Sequence, residues 1–414
     1  MTTAAPVPVD QDRLWSSLMA MAEIGKTPAG GVRRLALSDP DRAARDLLTA
    51  WLTEAGLTVR VDDLGNIYGR RPGGDSGAAP VVFGSHLDTV PTGGRFDGAL
   101  GVMGALEAVR ALEDAGVRTR APLEIVNWTN EEGARFAPAM LASGVVCGRF
   151  TREEAYAARD DGGRTFGEEL ARIGYRGAAE HRLRECAAYL ELHVEQGPVL
   201  ERAGIQVGVV EGIEGISWNR VEVNGRAAHA GPTPTADRRD AFVAAAKLVL
   251  LARDAAERLD GVRTTVGHVE VSPNTVNVVP GRVEMTLDVR CPRDAGLDEA
   301  LRAADEACRA IAGRDRVEVR RAEFWRSPVT RFSPRAVAAV AGAAAGRGFS
   351  AMRLWAGAGH DAKYMADRYP AGMIFVPSKD GLSHNEAEWT PPEDCARGAA
   401  VLLDAALALA GAAP

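Results

Sequence analysis

The fold is decided by VVFGSHLDTVPTGGRFDG, residues 81–98. Val81, Val82 and Phe83 open a short apolar run that reads as a buried strand. His86 and Asp88 stand where that strand ends. Asp97 follows a Pro/Gly turn, just ahead of Gly98 and an apolar helix over 98–113. In open α/β sheets, functional sites lie outside the carboxyl ends of the strands, so His86, Asp88 and Asp97 are expected in one crevice.

The same pattern repeats outward. Upstream, a first helix spans 9–24 and a Gly- and Arg-rich loop spans 26–34. A second helix starts at Ser38-Asp39-Pro40-Asp41, with a polar cap, a first-turn Pro and early acids. Short strands at 57–61 and 66–69 follow. Downstream, strand 123–127 runs into Asn130-Glu131-Glu132-Gly133, and strand 189–194 delivers His193 ahead of Glu195-Gln196-Gly197-Pro198. Strand, polar loop and helix in alternation indicate a doubly wound α/β domain.

Between about 215 and 327 the style changes. Strand 217–224, helix 239–256, strands 264–271 and 282–290, helix 297–311 and strand 316–321 give the order βαββαβ, a ferredoxin-like α+β unit. Val283, Met285, Leu287 and Val289 alternate cleanly along one of its strands. After 328 the α/β style resumes with a helix at 333–345, a loop at 356–359, a helix near His360-Asp361, a strand at 372–376 and a loop carrying His384. A last helix begins at Thr390-Pro391-Pro392-Glu393, which reads as a capping box. The expected organisation is a discontinuous catalytic α/β domain with a mixed central sheet and flanking helices (1–214 and 328–414) that carries an inserted α+β domain (215–327).

A chain of 414 residues suits two domains, and 46% hydrophobic with 25% charged residues is an ordinary globular mix. The net charge of -7 provides no basic surface for nucleic acid. No apolar run is long enough to cross a membrane, and the N-terminus lacks a signal peptide's basic and apolar regions, so cytoplasmic residence is expected. Five scattered cysteines without a CxxC pair suggest neither a disulfide framework nor a Cys-rich zinc site.

Histidine is scarce, 7 in the chain, and His86, His193, His229, His360 and His384 fall at the ends of apolar runs. His181 and His268 read as structural or surface residues. Two adjacent metal ions with a bridging carboxylate activate water and clamp a developing oxyanion. Mixed imidazole and carboxylate ligands suit Zn, Mn, Co or Ni. The candidate ligands are His86, Asp97, Glu132, His193 and His384, with Asp97 well placed to bridge. Asp88 is expected to accept the other ring N–H of His86, as such ligands usually require. Glu131 and Glu132 can point apart, one to metal and one to the attacking water. The structural alternative for His86 and Asp88 is a local hydrogen-bonded pair that shapes the loop.

The motifs GSHLDTVPTGGRFDGALGV (84–102), NWTNEEGARFAPAMLASG (127–144), ELHVEQGPVLE (191–201), GRAAHAGPTP (225–234), NTVNVVPG (274–281), DVR (288–290), GAGHDA (357–362) and GLSHNE (381–386) span nearly the whole chain. In this order they resemble the amidase branch of the dinuclear metal peptidase/aminoacylase family. More narrowly, they are similar to the N-carbamoyl-L-amino acid hydrolases, with allantoate amidohydrolase and β-ureidopropionase as close relatives. The resemblance implies two divalent metal ions: one on His86, Asp97 and His193, the other on Asp97, Glu132 and His384. It makes Glu131 the general base, places Gln196 near the metals, and gives His229 the tetrahedral oxyanion. It assigns the substrate's α-carboxylate to Asn277, Arg290 and the backbone of the Gly357–Gly359 loop, with His360 beside the site.

Other roles remain open for several of these. Arg290 would serve as a surface cation, Asn277 as a turn cap, His229 in a loop hydrogen bond, and His360-Asp361 as a helix start. Thr235 stands where relatives often have Met. The implied substrate is a small ureido-carboxylate, and the implied assembly is a homodimer through the inserted domain. His193, where peptidase relatives carry an acid, argues against a dipeptidase or aminoacylase. A non-catalytic scaffold would have lost Glu131 or ligands, and none is missing.

Overall fold

The structure, a computed structural model, describes residues 6–411. The chain divides into two compact units. One combines the residues up to Gly212 with those from Arg331 on, and the other is Ile213–Thr330, against the 215–327 read from the sequence pattern. The strands in chain order are β1 Thr58–Val61, β2 Ile67–Arg71, β3 Val81–His86, β4 Leu123–Trp128, β5 Ala188–Val194 and β6 Val207–Ile213. They continue with β7 Gly215–Asn224, β8 Ala228–His229, β9 Arg263–Thr265, β10 Val269–Ser272, β11 Val278–Val279, β12 Arg282–Cys291 and β13 Glu318–Ser327. The last three are β14 Thr330–Arg331, β15 Ala351–Ala356 and β16 Ala371–Val376.

The larger unit is built on a mixed sheet of order β1-β2-β4-β3-β5-β16-β6-β14, with β15 also paired to β6. Its centre, β4-β3-β5-β16, is parallel throughout. The flanks β1–β2, β2–β4 and β16–β6 are antiparallel. Every residue of β3, β4, β5 and β16 is buried, as expected for parallel strands covered on both faces. Parallel pairing puts the carboxyl ends of these four strands at one edge of the sheet. His86 ends β3, His193 lies one residue before the end of β5, and the Glu131–Glu132 and His384 loops follow β4 and β16. The helices Ala99–Asp114 and Pro392–Ala410 pack on each other and on the central strands. Almost all of Ala99–Asp114 is buried, because it lies under a second helix as well as on the sheet.

The inserted unit has an antiparallel sheet of order β10-β12-β7-β13, with β9 pairing β12 beside β10. Val283, Met285, Leu287 and Val289 are buried with Val221 and Val223, and helices Ala241–Arg258 and Asp294–Asp315 supply the rest of that core. The single strand expected at 264–271 is two strands. β9 pairs Asp288–Arg290, β10 pairs Arg282–Met285, and the chain leaves β12 between them. β6, antiparallel to β16, and β15, paired to β6, are not expected from the sequence pattern.

The last helix also starts differently. Pro391 is its N-cap without a side-chain bond, while the Thr390 hydroxyl donates to the Pro377 carbonyl at 3.0 Å. A Thr with an available carbonyl on the preceding loop gives up the capping box. All five cysteines are free. Among the described residues, no helix is long and apolar enough to cross a membrane.

Candidate metal centre

The loops after β3, β4, β5 and β16 bring two groups of side chains together in the larger unit. His86, Asp97 and His193 offer ligand atoms within 4.8 Å of one another, and Asp97, Glu132 and His384 do the same. Asp97 belongs to both groups. Its Oδ1 lies 3.1 Å from His193 Nε2 and 3.6 Å from His86 Nε2, and its Oδ2 lies 3.4 Å from His384 Nε2. His384 Nε2 is also 3.3 Å from Glu132 Oε2. One carboxylate thus faces three imidazoles, one oxygen toward each group.

The imidazoles are held for ligation. His86 Nδ1 bonds the Asp88 carbonyl and His193 Nδ1 the Val194 carbonyl, each at 2.9 Å. A carbonyl only accepts, so Nδ1 carries the proton and Nε2 turns to the centre in both rings. This corrects the reading of Asp88: its backbone carbonyl, not its carboxylate, orients His86. The carboxylate instead accepts from the Glu131 and Glu132 N–H groups, at 3.2 and 3.3 Å. A residue two positions past His86 on the same chain reaches the ring with its main chain, which frees its side chain to fix the neighbouring loop.

Asp97 is presented by a tight turn. Ala99 N–H donates to the Asp97 carbonyl at 2.7 Å, which closes a γ-turn on Gly98 with φ 66° and ψ -49°. Only glycine adopts this without strain, and a Cβ there would stand 2.5 Å from both ring nitrogens of His86. Asn130, Gln196 and His384 also have positive φ. Backbone strain of this kind gathers where the surroundings over-determine a site. Gln196 Nε2 donates to Asp97 Oδ2 at 2.8 Å, and its buried Oε1 has no partner among the described residues.

Electrostatics follow from burial and from the density of carboxylates. Burial pushes the His86 imidazole down to about 4. Burial acts the same way on His193, but the hydrogen bond and charge of Asp97 override it and hold that ring up at about 9. Hydrogen bonds to Asp97 and Glu132 raise His384 to about 10. Asp97 is buried, yet its imidazole neighbours keep it well below the usual carboxylate range. Burial, and then the charges of Asp361, Glu132, Asp88 and Asp97, drive Glu131 well upward. Its Oε2 lies 3.6 Å from His86 Nε2, so it faces the same ligand set without being one of the clustered ligands.

The remaining predicted residues fall in different places. His360 is buried, its ring centroid 4.4 Å from that of His193, and its Nε2 has no partner among the described residues. Gly359 precedes it, and Asp361 is the N-cap of helix Ala362–Arg368. In the inserted unit, His229 is exposed on β8 opposite Val278 and its Nδ1 accepts from Gly231 N–H at 3.1 Å. The Asn277 carbonyl accepts from Ala230 N–H at 2.9 Å. Arg290 lies on β12 with its guanidinium 2.8 Å from the Asp288 carboxylate. Glu195, another acid at a strand end, caps helix Val199–Ala203 through the Val199 and Leu200 N–H groups.

Several supports were not read from the sequence. Arg34 is fully buried and donates to the carbonyls of Leu87, Met21 and Ile24, which holds the segment between His86 and Asp88. Burial lowers its pKa to about 10. Glu191, behind His193, accepts from Ser85, Tyr189 and Ala362. Asp361 accepts from Ser143. Glu388 and Ser383 hold Asp97, by its main-chain N–H and by its Oδ2 respectively.

Set against known proteins, residues 82–408 match the model of Peptidase family M20/M25/M40. The chain belongs to that family. It is 48% identical over 405 residues to an N-carbamoyl-L-amino-acid amidohydrolase of Rhizobium meliloti, covering 96% of each chain. It is 34% identical to an allantoate amidohydrolase of Bacillus subtilis, covering 93% of this chain and 94% of that one. In three dimensions it superposes on the crystal structure of an amidase of the hydantoinase/carbamoylase family from Burkholderia multivorans with a TM-score of 0.95, 48% identity and 98% coverage of both chains. The larger unit's mixed sheet with flanking helices is therefore the fold of the carbamoylase-type amidases within this family.

Proposed function

We propose that this chain is an N-carbamoyl-L-amino acid amidohydrolase. It would convert a ureido-carboxylate and one water to the L-amino acid, CO2 and ammonia. The observation that carries the reading is the shared Asp97 between two ligand groups, with Glu131 facing them, in a family member 48% identical to a protein of that name. The donor set fits divalent Zn, Mn, Co or Ni: two buried imidazoles with their Nε2 atoms turned inward, a third imidazole and two carboxylates. His86, Asp97 and His193 would hold one ion, and Asp97, Glu132 and His384 the other. When bound, such ions supply a Lewis acid for the carbamoyl oxygen and lower the pKa of water.

The chain's own residues do the rest. Glu131 takes a proton from the attacking water and returns it to the leaving nitrogen. Burial and its acidic neighbours favour its holding that proton between the two transfers. Asp88 fixes the Glu131 and Glu132 main chain, and Gln196 orients Asp97. Family resemblance assigns the substrate carboxylate to Arg290 and Asn277, with Gly359 and His360 beside them, and the oxyanion to His229. A guanidinium suits a carboxylate through two parallel N–H···O bonds. The same proposal makes the inserted unit the lid and dimerisation element of a cytoplasmic homodimer.

The second reading is allantoate hydrolysis, favoured by the Bacillus relative at 34% identity. The test is ammonia release from N-carbamoyl-L-methionine by metal-reconstituted wild type and by Glu131→Gln. The variant should keep its metal and lose about 100-fold or more in kcat, the usual range for an acid–base group. Equal activity would remove Glu131 from its role, and a silent wild type with metal bound would remove the substrate.

A further inference from the structure

Glu388 is remote in sequence from Asp97 and is 2% exposed, with its carboxylate aimed at the ligand loop. Its Oε1 accepts two main-chain N–H groups, those of Phe96 at 2.8 Å and of Asp97 itself at 3.0 Å. Its Oε2 is 3.1 Å from the Ser383 hydroxyl, which in turn lies 3.0 Å from Asp97 Oδ2. Ser383 is the residue before His384. One carboxylate therefore touches the main chain of the bridging residue, and through one hydroxyl its side chain, while holding the loop that presents a second ligand.

The surroundings are shaped to admit this carboxylate. A Cβ on Gly94 would fall within contact distance of the Glu388 carboxyl group and its Cβ, so the second glycine of the Gly93-Gly94 pair is the space Glu388 occupies. The next residue anchors the segment: Trp389 packs edge-on to Phe96 with ring centroids 5.7 Å apart, and to Trp15 at 5.4 Å. A buried carboxylate that accepts two main-chain N–H groups and shares the single Ser383 hydroxyl proton with Asp97 is costly to replace and fixes these groups closely.

We propose that Glu388 is a positioning residue of the centre: it locks Asp97 to the His384 loop, and so tunes the affinity of the site for its metal ions. This rests on the ligand assignment proposed above. Glu388→Gln preserves the geometry. The amide oxygen still accepts both N–H groups, and its NH2 donates to Ser383 Oγ, whose own proton then goes to Asp97. Glu388→Ala removes all three contacts. Residues that orient metal ligands are commonly worth about 10–100-fold in metal affinity.

The experiment is titration of chelator-stripped full-length protein with Co²⁺, followed by visible absorbance, in wild type, Glu388→Gln, Glu388→Ala and Ser383→Ala. The expected result is two ions in wild type, Glu388→Gln within about threefold of it, and Glu388→Ala weaker by about tenfold or more for at least one ion. The kcat of the Ala variant should recover at saturating Co²⁺ with KM unchanged, which a generally loosened fold would not show. Wild-type affinity in Glu388→Ala overturns the proposal. So does equal weakening in Gln and Ala, which would make Glu388 a charge rather than a positioner.

If Glu388→Ala does not fold, Ser383→Ala decides: weaker Co²⁺ binding supports the tie, and unchanged binding overturns it. Failure of wild type to bind two ions, or of His86→Ala and His384→Ala to weaken them, would overturn the ligand assignment instead, and Glu388 with it.

Discussion

Gly98→Ala is the substitution that loads the centre most directly. Gly98 sits in a γ-turn with φ 66°, and the added methyl would stand 2.5 Å from Nδ1 and Nε2 of His86. Ordinary contact begins near 3.4 Å, so either the ring or the turn must yield by about 1 Å. The backbone strain costs roughly 1–3 kcal/mol for a non-glycine residue. Overpacking of a closed site adds roughly 1–3 kcal/mol more. Either relief disturbs the approach of His86 Nε2 to Asp97 Oδ1, which is 3.6 Å.

Metal geometry tolerates only a few tenths of an ångström. An affinity loss of at least the 10–100-fold seen when ligand orientation is disturbed should follow, about 1.4–2.8 kcal/mol. The assay is competition for Zn²⁺ against a chelator of known affinity, with far-UV circular dichroism confirming that the variant is folded. A folded Gly98→Ala protein with wild-type Zn²⁺ affinity would refute the argument.

Further outcomes follow from the same structure. His193 and His384 hold protons up to about 9 and about 10 against an ordinary 6.5, so metal binding at pH 7.5 should release protons. Calorimetry in two buffers of different ionisation enthalpy should show this release shrinking by pH 10.5. The imidazole–carboxylate pairing contributes fully to stability below pH 6.5 and is lost as pH rises through 9–10, so chelated protein should melt lower at pH 10 than at pH 7.

Arg45 and Asp41 form a fully buried ion pair at 2.9 Å, and Arg45 also donates to Gly65 and Thr129. Arg45→Met strands a buried carboxylate at a cost of roughly 3–5 kcal/mol. At about 1.6 °C per kcal/mol for a unit of about 300 residues, Tm should fall by roughly 5–8 °C in differential scanning calorimetry, and a shift below about 2 °C would contradict it. Arg290→Lys, which replaces a planar fork by a point charge, should raise KM about tenfold or more with little change in metal content. Unchanged steady-state kinetics would remove Arg290 from carboxylate recognition.

Much of this was legible because burial on two faces leaves a plain mark. β3, β4, β5 and β16 are short, continuous apolar runs, and polar residues mark where each run stops. The alternation in β12 marks a one-sided sheet equally well. β6 and β15 were missed because Gly208 and Gly212 break up the first, and the second lies at the margin of the sheet with several residues partly exposed, so neither carries a clean period.

Three of the five candidate ligands are histidines, scarce in this chain, and two of those stand at strand ends, which chemistry alone singles out. Their supports are not. Arg34, Ser383 and Glu388 are common residues whose role depends on main-chain groups that only the folded chain brings near. Asp88 shows the same limit from the other side. Spacing put it beside His86, but which of its oxygens meets the ring depends on the turn of the backbone.

The most direct test of the central claim is kcat/KM of the metal-reconstituted enzyme for N-carbamoyl-L-methionine against allantoate, with the D-isomer, N-carbamoyl-β-alanine and N-acetyl-L-methionine alongside. Ammonia would be scored for the carbamoyl compounds and allantoate, and free methionine for the acetyl compound. The account predicts the L-carbamoyl amino acid ahead of every other compound by about tenfold or more, the margin a fitted pocket and a paired carboxylate provide. Allantoate as the better substrate would make the chain an allantoate amidohydrolase with the same centre, and preferential cleavage of the acetyl compound would contradict the carbamoylase assignment outright.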